Sequence, residues 1–385
     1  MSEQLDAVFV LRGRPGLGHV SPGLSIAREL AGHGVRVGLA SYGPGAAYLA
    51  RVRDFSFSRR EISVPDRYAQ WAGLTVYDQG VGELSPWLER TSPRLLVLGG
   101  EYIVPPAVAE PGLHVSLLFN PEIMTEAERN QRAAKLFSRL FGYCDSLVPL
   151  QPPPTEAQTI PAFRALRAKF LAAGAFPAVR VDTPPSKGAA LGRLFVIANG
   201  GGTAFPGVTS SYSDGADLAG VWLEQTHRFT EAATLAAREA AHPADRIQVF
   251  SSLPVLANDA LRMRFADDAR ITITEVAPEY YAALARASVI VSRAGLGFVN
   301  DLPLTRAGVV LWALEQHDEQ ALNAQAVVSS RPGSVYVKTT EELPAAIATV
   351  LERTSSNLGD HRHLQQNLQR VVRAYLGILR NQSCC

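Results

Sequence analysis

Val289-Ile290-Val291-Ser292-Arg293-Ala294-Gly295-Leu296-Gly297, continuing from Phe298 to Ala324 as FVNDLPLTRAGVVLWALEQHDEQALNA, is the stretch whose reading decides the fold. The apolar run Val289–Val291 ends at a turn signal and reads as a buried strand. The small residues after it, Ser292 to Gly297, let a backbone approach a ligand closely. A helix carrying Asp301 follows, then a second apolar strand from Val309 to Trp312. That strand runs into polar Glu315 to Gln320 and a further helix containing Asn323. Strand, glycine turn and helix N-terminus together make an anion site, because free amides and the positive end of the helix dipole face the ligand. The carboxylates and amides beyond the second strand suit ligand hydroxyls.

The start of the chain repeats the pattern. Ala7 to Leu11 reads as a buried parallel-type strand, and Arg12 to His19 (RGRPGLGH) forms a glycine-containing turn before a helix. Ser21 is expected as N-cap and Pro22 at the first helical position, where its missing amide is harmless. Leu24, Ala27, Leu30 and Ala31 supply the apolar face, Gly32 or Gly34 the stop, and Val35 to Ala40 the next strand. The glycine spacing departs from G-x-G-x-x-G, which argues against a dinucleotide dehydrogenase. His19 stands at the carboxyl end of the first strand, where doubly wound folds place ligands. A helix N-terminus there disfavours the imidazolium and leaves a neutral ring able to accept a proton. His33, among glycines at the helix end, reads as structural.

Both segments resemble one family. GLGHVSPGLSIARELAGHGVRV is similar to the G-H-x-x-P…L-A-x-x-L…G-H-x-V signature of MurG-like and UDP-glycosyltransferase enzymes. The Val289–Ala324 stretch resembles their donor-sugar half, with Ser292, Arg293, Gly295, Asp301, Glu319, Gln320, Asn323 and Ala324 on the matching positions. Two departures are Arg306, where the family has a small glycine, and Asp301, where glutamate is commoner. The resemblance implies a GT-B fold, that is α/β with two facing Rossmann-like domains and a cleft between them. It also implies His19 as general base at the acceptor site. Gly16, Gly18, Gly100, Glu101 and Asn120 would line that acceptor end. There Glu101 is inserted before Tyr102, and Leu118 replaces the family's glutamate two before Asn120, so the acceptor is expected to differ from the peptidoglycan lipid.

Further along, Leu194 to Ala198 reads as the first strand of a second α/β unit and runs into Asn199-Gly200-Gly201-Gly202-Thr203, a loop suited to cradling a diphosphate through its amides. By the resemblance, Gly200, Gly201, Gly202, Thr203, Val276, Arg293, Gly295, Leu296, Gly297, Asp301, Glu319, Gln320 and Asn323 hold the donor. Val276 would give the nucleobase its backbone contact, Asp301 would meet the ribose, and Glu319 and Gln320 the transferred sugar. The expected organisation is an N-terminal domain over 1–181, a proline-stiffened linker over 182–190, a donor domain over 191–360, and a last amphipathic helix over 361–385 returning to the first domain. A short helix from Phe163 to Leu171 is expected before the linker.

Composition narrows the rest. With 385 residues, 47% hydrophobic, the chain has enough apolar mass for two full cores. A net charge of +1 gives no sign of nucleic-acid binding. Cys144, Cys384 and Cys385 lack metal-ligand spacing and do not form a disulfide framework, which suits a reducing cytoplasm. Met1 to Asp6 is too polar and short for a leader, and no apolar run reaches spanning length. Membrane contact is expected to be peripheral at most, at the inner face. The Arg129–Arg139 helix reads as packing on the sheet, or alternatively as docking an anionic lipid surface. Trp71 and Trp87 read either as core or as lining an apolar acceptor pocket.

The expectation is an inverting, metal-independent transferase with no cofactor. Its co-substrate would be a nucleotide sugar, uridine-linked by the resemblance, and its acceptor hydroxyl would belong to a natural product, sugar or lipid. A nucleotide-sugar epimerase of the same fold and a non-catalytic nucleotide-sugar-binding partner protein are the alternatives.

Overall fold

The computed structural model describes residues 4–13, 17–53, 55–62, 84–100, 112–119, 141–150, 165–171, 192–199, 219–275, 279–315, 318–353 and 362–381. The chain divides into two units, Met1–Arg180 with Arg362–Cys385, and Val181–His361. Trp71, the segment 129–139 and the linker 182–190 lie outside the described residues.

The first unit is built on β1 (Ala7–Leu11), α1 (Val20–Gly32), β2 (Val37–Ser41), α2 (Gly43–Arg51), β3 (Ser58–Glu61), β4 (Leu95–Gly99), β5 (His114–Phe119) and β6 (Ser146–Pro149). Its six strands pair in the order β3-β2-β1-β4-β5-β6, all parallel. This is the doubly wound order, with its reversal between β1 and β4. β1, β2 and β4 are buried along their whole length, as two-sided parallel strands must be. Trp87 belongs to this core: it is buried, and a Cβ on Gly38 of β2 would lie 2.9 Å from its ring.

The second unit contains β7 (Leu194–Ala198), α3 (Ala219–Ala240), β8 (Arg246–Ser251), α4 (Val255–Arg264), β9 (Ile271–Glu275), α5 (Glu279–Arg286), β10 (Val289–Arg293), α6 (Leu296–Asp301), β11 (Gly308–Trp312), α7 (Asp318–Ser330), β12 (Ser334–Tyr336) and α8 (Leu343–Glu352). Its strands run β12-β11-β10-β7-β8-β9, again parallel, with the reversal between β7 and β10. Phe229 of α3 stacks on Trp312 of β11 at 4.3 Å and 6°, which fastens the helix layer to the sheet.

The last helix, α9 (Arg362–Asn381), completes the first unit. Leu368, Val371, Val372, Tyr375 and Leu379 are buried, each worth about 1.5–3 kcal/mol of burial. Tyr375 hydroxyl meets Ser116 Oγ at 2.6 Å, Arg94 Nη1 donates to Leu379 O at 2.6 Å, and Gln369 Nε2 donates to Glu29 Oε2 at 2.9 Å.

Three local expectations change. α1 begins at Val20 with His19 as N-cap, so Ser21 and Pro22 lie inside the first turn. Pro22 is still harmless there, since amides of the first turn have no intrahelical acceptor. β2 starts at Val37 because Val35 N is spent on Leu30 O at 3.1 Å, closing α1. Of the helix expected from Phe163 to Leu171, the described residues show helix at Ala165 and Leu166, then a 3-10 turn at Arg167–Lys169. Phe170 leaves it to bridge Leu147 of β6.

Candidate functional site

In the first unit, the carboxyl ends of β1 and β4 flank the point where strand order reverses, and His19 sits at that point. β4 ends at Gly99, whose carbonyl accepts from Arg12 N at 2.9 Å, while Gly100 N donates to Leu118 O at 2.8 Å. Gly100 has φ +61°, left-handed backbone that favours glycine, and a Cβ there would strike the His19 ring. The imidazole therefore lies flat on a side-chain-free turn. Its Nδ1 is buried and has no hydrogen-bond partner among the described residues, which leaves Nε2 as the candidate working nitrogen. Burial first, and the Arg12 cation second, push the His19 pKa down, so the ring is neutral at pH 7. His19 as a whole residue is only partly buried, which moderates that depression.

The loops around His19 are tied to one another. Ser41 Oγ at the end of β2 donates to Leu11 O at 2.8 Å, and Gly45 N donates to Gly13 O at 3.2 Å. Gly18 is exposed, and a Cβ on it would meet nothing within 4 Å. Gly16, Glu101 and Asn120 lie outside the described residues. His33 is an exposed C-cap of α1, remote in role from His19.

In the second unit the reversal point lies between β7 and β10. Gly295 is the N-cap of α6, with open space where a Cβ would stand. Arg293 is buried, its pKa lowered by burial to about 10, and its Nη2 donates to Asn199 O at 3.1 Å. It thus braces strand ends and does not stand in the open. Asp301, in the last turn of α6, is only 6% exposed. Among the described residues its carboxylate makes no hydrogen bond or ion pair, and burial pushes its pKa well up. A largely buried carboxylate with no partner among the described residues is the kind of group a ligand hydroxyl satisfies. Gly297 lies partly exposed in the same helix.

Two of the expected sugar contacts are already engaged within the chain. Gln320 Oε1, in the first turn of α7, accepts from Leu314 N at 3.0 Å. Asn323 Nδ2 donates to Ala294 O at 3.1 Å. α7 therefore staples the β11 loop and the β10 turn together. The β11 loop is also gripped from α3, where Trp222 Nε1 donates to Glu315 O at 2.8 Å and Gln225 Oε1 accepts from Glu315 N at 2.7 Å. The backbone of Glu319 belongs to α7, while its side chain lies outside the described residues, as do the side chain of Leu296 and all of Gly200, Gly201, Gly202, Thr203 and Val276.

The description "Glycosyltransferase family 28 C-terminal domain" matches residues 236–372. The chain has a GT-B fold, and its residues 236–372 are similar to that domain. Solved structures resemble it over nearly its whole length. Arabidopsis thaliana UGT89C1, complexed with UDP-L-rhamnose, superposes with a TM-score of 0.58 at 12% identity, covering 97% of this chain and 100% of that one. A putative UDP-N-acetylglucosamine 2-epimerase from Listeria monocytogenes gives 0.56 at 10% identity, covering 96% and 91%. Acinetobacter baumannii MurG gives 0.51 at 16% identity, covering 97% and 99%. No curated protein matches. Among the described residues, no helix of this GT-B protein is long and apolar enough to cross a membrane.

One residue of the second unit escaped the sequence reading. Asn199 stands just before the glycine run and is 1% exposed, yet nothing but that adjacency marked it. Its weight comes from partners 31 to 94 residues away in sequence.

Proposed function

We propose that this protein is an inverting glycosyltransferase that moves a sugar from a nucleotide-sugar donor, uridine-linked, to an acceptor hydroxyl. The observation that carries the reading is His19 packed on the side-chain-free Gly100 turn at the strand-order reversal of one unit, in a chain whose residues 236–372 are similar to a glycosyltransferase domain. The acceptor O–H gives its proton to His19 Nε2 while its oxygen bonds to the anomeric carbon. The bond from that carbon to the diphosphate oxygen breaks on the opposite face, so the configuration inverts. The departing diphosphate takes the bonding pair and is held by main-chain amides of the glycine loop and the Gly295 turn, without a metal. Asp301 accepts from the ribose hydroxyls. The acceptor is a natural product, a sugar or a lipid, and the setting is the cytoplasm or the inner face of a membrane.

The test is incubation with a panel of UDP-, dTDP- and GDP-sugars, with and without hydroxyl acceptors, read by mass spectrometry and by NMR of the anomeric centre. Transfer with inversion that survives EDTA is the expected result. Retention at the anomeric carbon would remove the single-displacement chemistry. Loss of activity that Mg²⁺ restores would remove the amide-only account of the leaving group. Isomerisation of the donor with no acceptor present, or binding without turnover, would replace transfer altogether.

A further inference from the structure

We propose that Asn199 is a positioning residue for donor binding, fixing the relative placement of the strand ends on either side of the reversal point in the second unit. The inference rests on the reading of that unit as the nucleotide-sugar domain. Asn199 follows the last residue of β7, and both ends of its carboxamide are occupied. Nδ2 donates to Thr230 Oγ1 of α3 at 2.8 Å and to Ser251 Oγ at the end of β8 at 3.3 Å. Oδ1 accepts from Ser252 N at 2.7 Å and from Ser252 Oγ at 3.3 Å. Its main-chain carbonyl accepts from Arg293 Nη2 at the end of β10 at 3.1 Å, and from Ser252 Oγ at 3.0 Å. Its own N–H donates to Phe250 O at 3.2 Å. One buried residue thus joins β7, β8, β10 and α3 at their ligand-side ends.

Stability alone does not account for such a hub. A buried carboxamide surrounded by hydroxyls and a guanidinium carries the desolvation cost of every polar group in it, and an apolar residue of similar size would pack the same space without that cost. What the network adds is direction. Hydrogen bonds fix angles as well as distances, whereas apolar packing tolerates sliding. Thr230 is itself held, donating to Thr226 O at 2.6 Å, and Ser251 Oγ also accepts from Leu253 N at 3.2 Å, so the hub is anchored on both the helix and the β8 side. The two strands it joins through Arg293 are the ones that flank the reversal point, where open α/β sheets bind ligands. The ligand-facing elements on the β10 side, Gly295 and Asp301, follow directly from the strand end that Arg293 terminates.

The experiment uses the full chain and whichever of UDP, dTDP or GDP the wild type binds in calorimetric titration, together with steady-state kinetics. Three variants are compared: Asn199→Ala, Asn199→Asp and Thr234→Val. The last removes a buried bond of α3 (Thr234 Oγ1 to Thr230 O, 2.7 Å) without touching Asn199. Asn199→Ala is expected to weaken nucleotide affinity and raise the donor KM about tenfold, with kcat at saturating donor within about twofold and acceptor KM unchanged. Asn199→Asp keeps the acceptor for Ser252 N and should fall between it and wild type; it carries the test if Asn199→Ala does not fold. Thr234→Val should lower the melting temperature and leave donor KM alone. Donor affinity within twofold of wild type in both Asn199 variants overturns the inference and leaves the glycosyltransferase reading standing. So does an equal rise in donor KM in Thr234→Val. A wild type that binds no nucleotide at all overturns both.

Discussion

Asp301→Asn tests the donor site and its cost to the fold in one substitution, since it removes a charge and keeps the shape. In the folded chain the carboxylate is nearly buried and lacks a partner among the described residues, and its pKa is raised above the ordinary 3.8. A folded pKa above the unfolded one means that stability is full below pH 3.8, falls as pH rises, and levels off beyond the folded pKa. At pH 7 this loss is bounded by the span from 3.8 to 7, on the order of 4 kcal/mol. An unpaired buried polar group costs about 1–3 kcal/mol or more, and the asparagine amide keeps part of that cost. Asp301→Asn should therefore stabilise the second unit by about 1–3 kcal/mol at pH 7, a melting shift of about 2–10 °C for a unit of this size. The same change removes a charge-assisted bond to a ribose hydroxyl, so UDP affinity should fall about ten- to hundredfold. Thermal melts at pH 5 and pH 8, with and without UDP, read both effects. The gain must be larger at pH 8. A variant that melts below wild type at pH 8, or a gap that ignores pH, refutes the unpaired-carboxylate reasoning; unchanged UDP affinity removes the ribose assignment.

His19→Ala should lower kcat by about two to four powers of ten while nucleotide affinity holds, and a near-wild-type rate removes His19 from the chemistry. Because its pKa is depressed, the acidic limb of the kcat/KM profile should lie below the ordinary imidazole value of 6.5; a limb at or above that value contradicts the buried setting. Gly100→Ala meets both a left-handed φ and the imidazole ring, so it should cut turnover by at least tenfold with donor KM unchanged, and wild-type kinetics would show that the turn does not hold His19. Gln320→Glu keeps the acceptor for Leu314 N and suits the first turn of a helix, whereas Asn323→Asp turns a donor into a charge facing Ala294 O. Melting should fall in Asn323→Asp by the equivalent of about 1–3 kcal/mol and hardly change in Gln320→Glu, and the reverse order would reject the stapling role.

Much of the fold was legible because interior parallel strands are apolar on both faces. Ala7–Leu11, Val289–Val291 and Val309–Trp312 each read as strands from their letters alone, and each is buried throughout. The edge strands of the first sheet were not legible. β3 is SRRE, mostly exposed, and β6 is only four residues ending in proline, so neither shows an apolar run or an alternation. The candidate site divides the same way. His19 could be placed from its position after β1, since strand-end position follows from local sequence. The duties of Gln320 and Asn323 could not, because they depend on how α7 registers against two loops. Asn199 could not either, since its partners gather only when the sheet closes.

The return of α9 to the first unit has a consequence for synthesis. The strands of the first unit are made before the second unit, yet the helix that seals Val371, Val372 and Tyr375 against them is made after it. The second unit, whose chain is continuous from Val181 to His361, is fully available to fold before that helix exists. Vectorial synthesis therefore finishes the later unit first, and leaves the surface under α9 open to solvent, or to a chaperone, until residue 381 has cleared the ribosome.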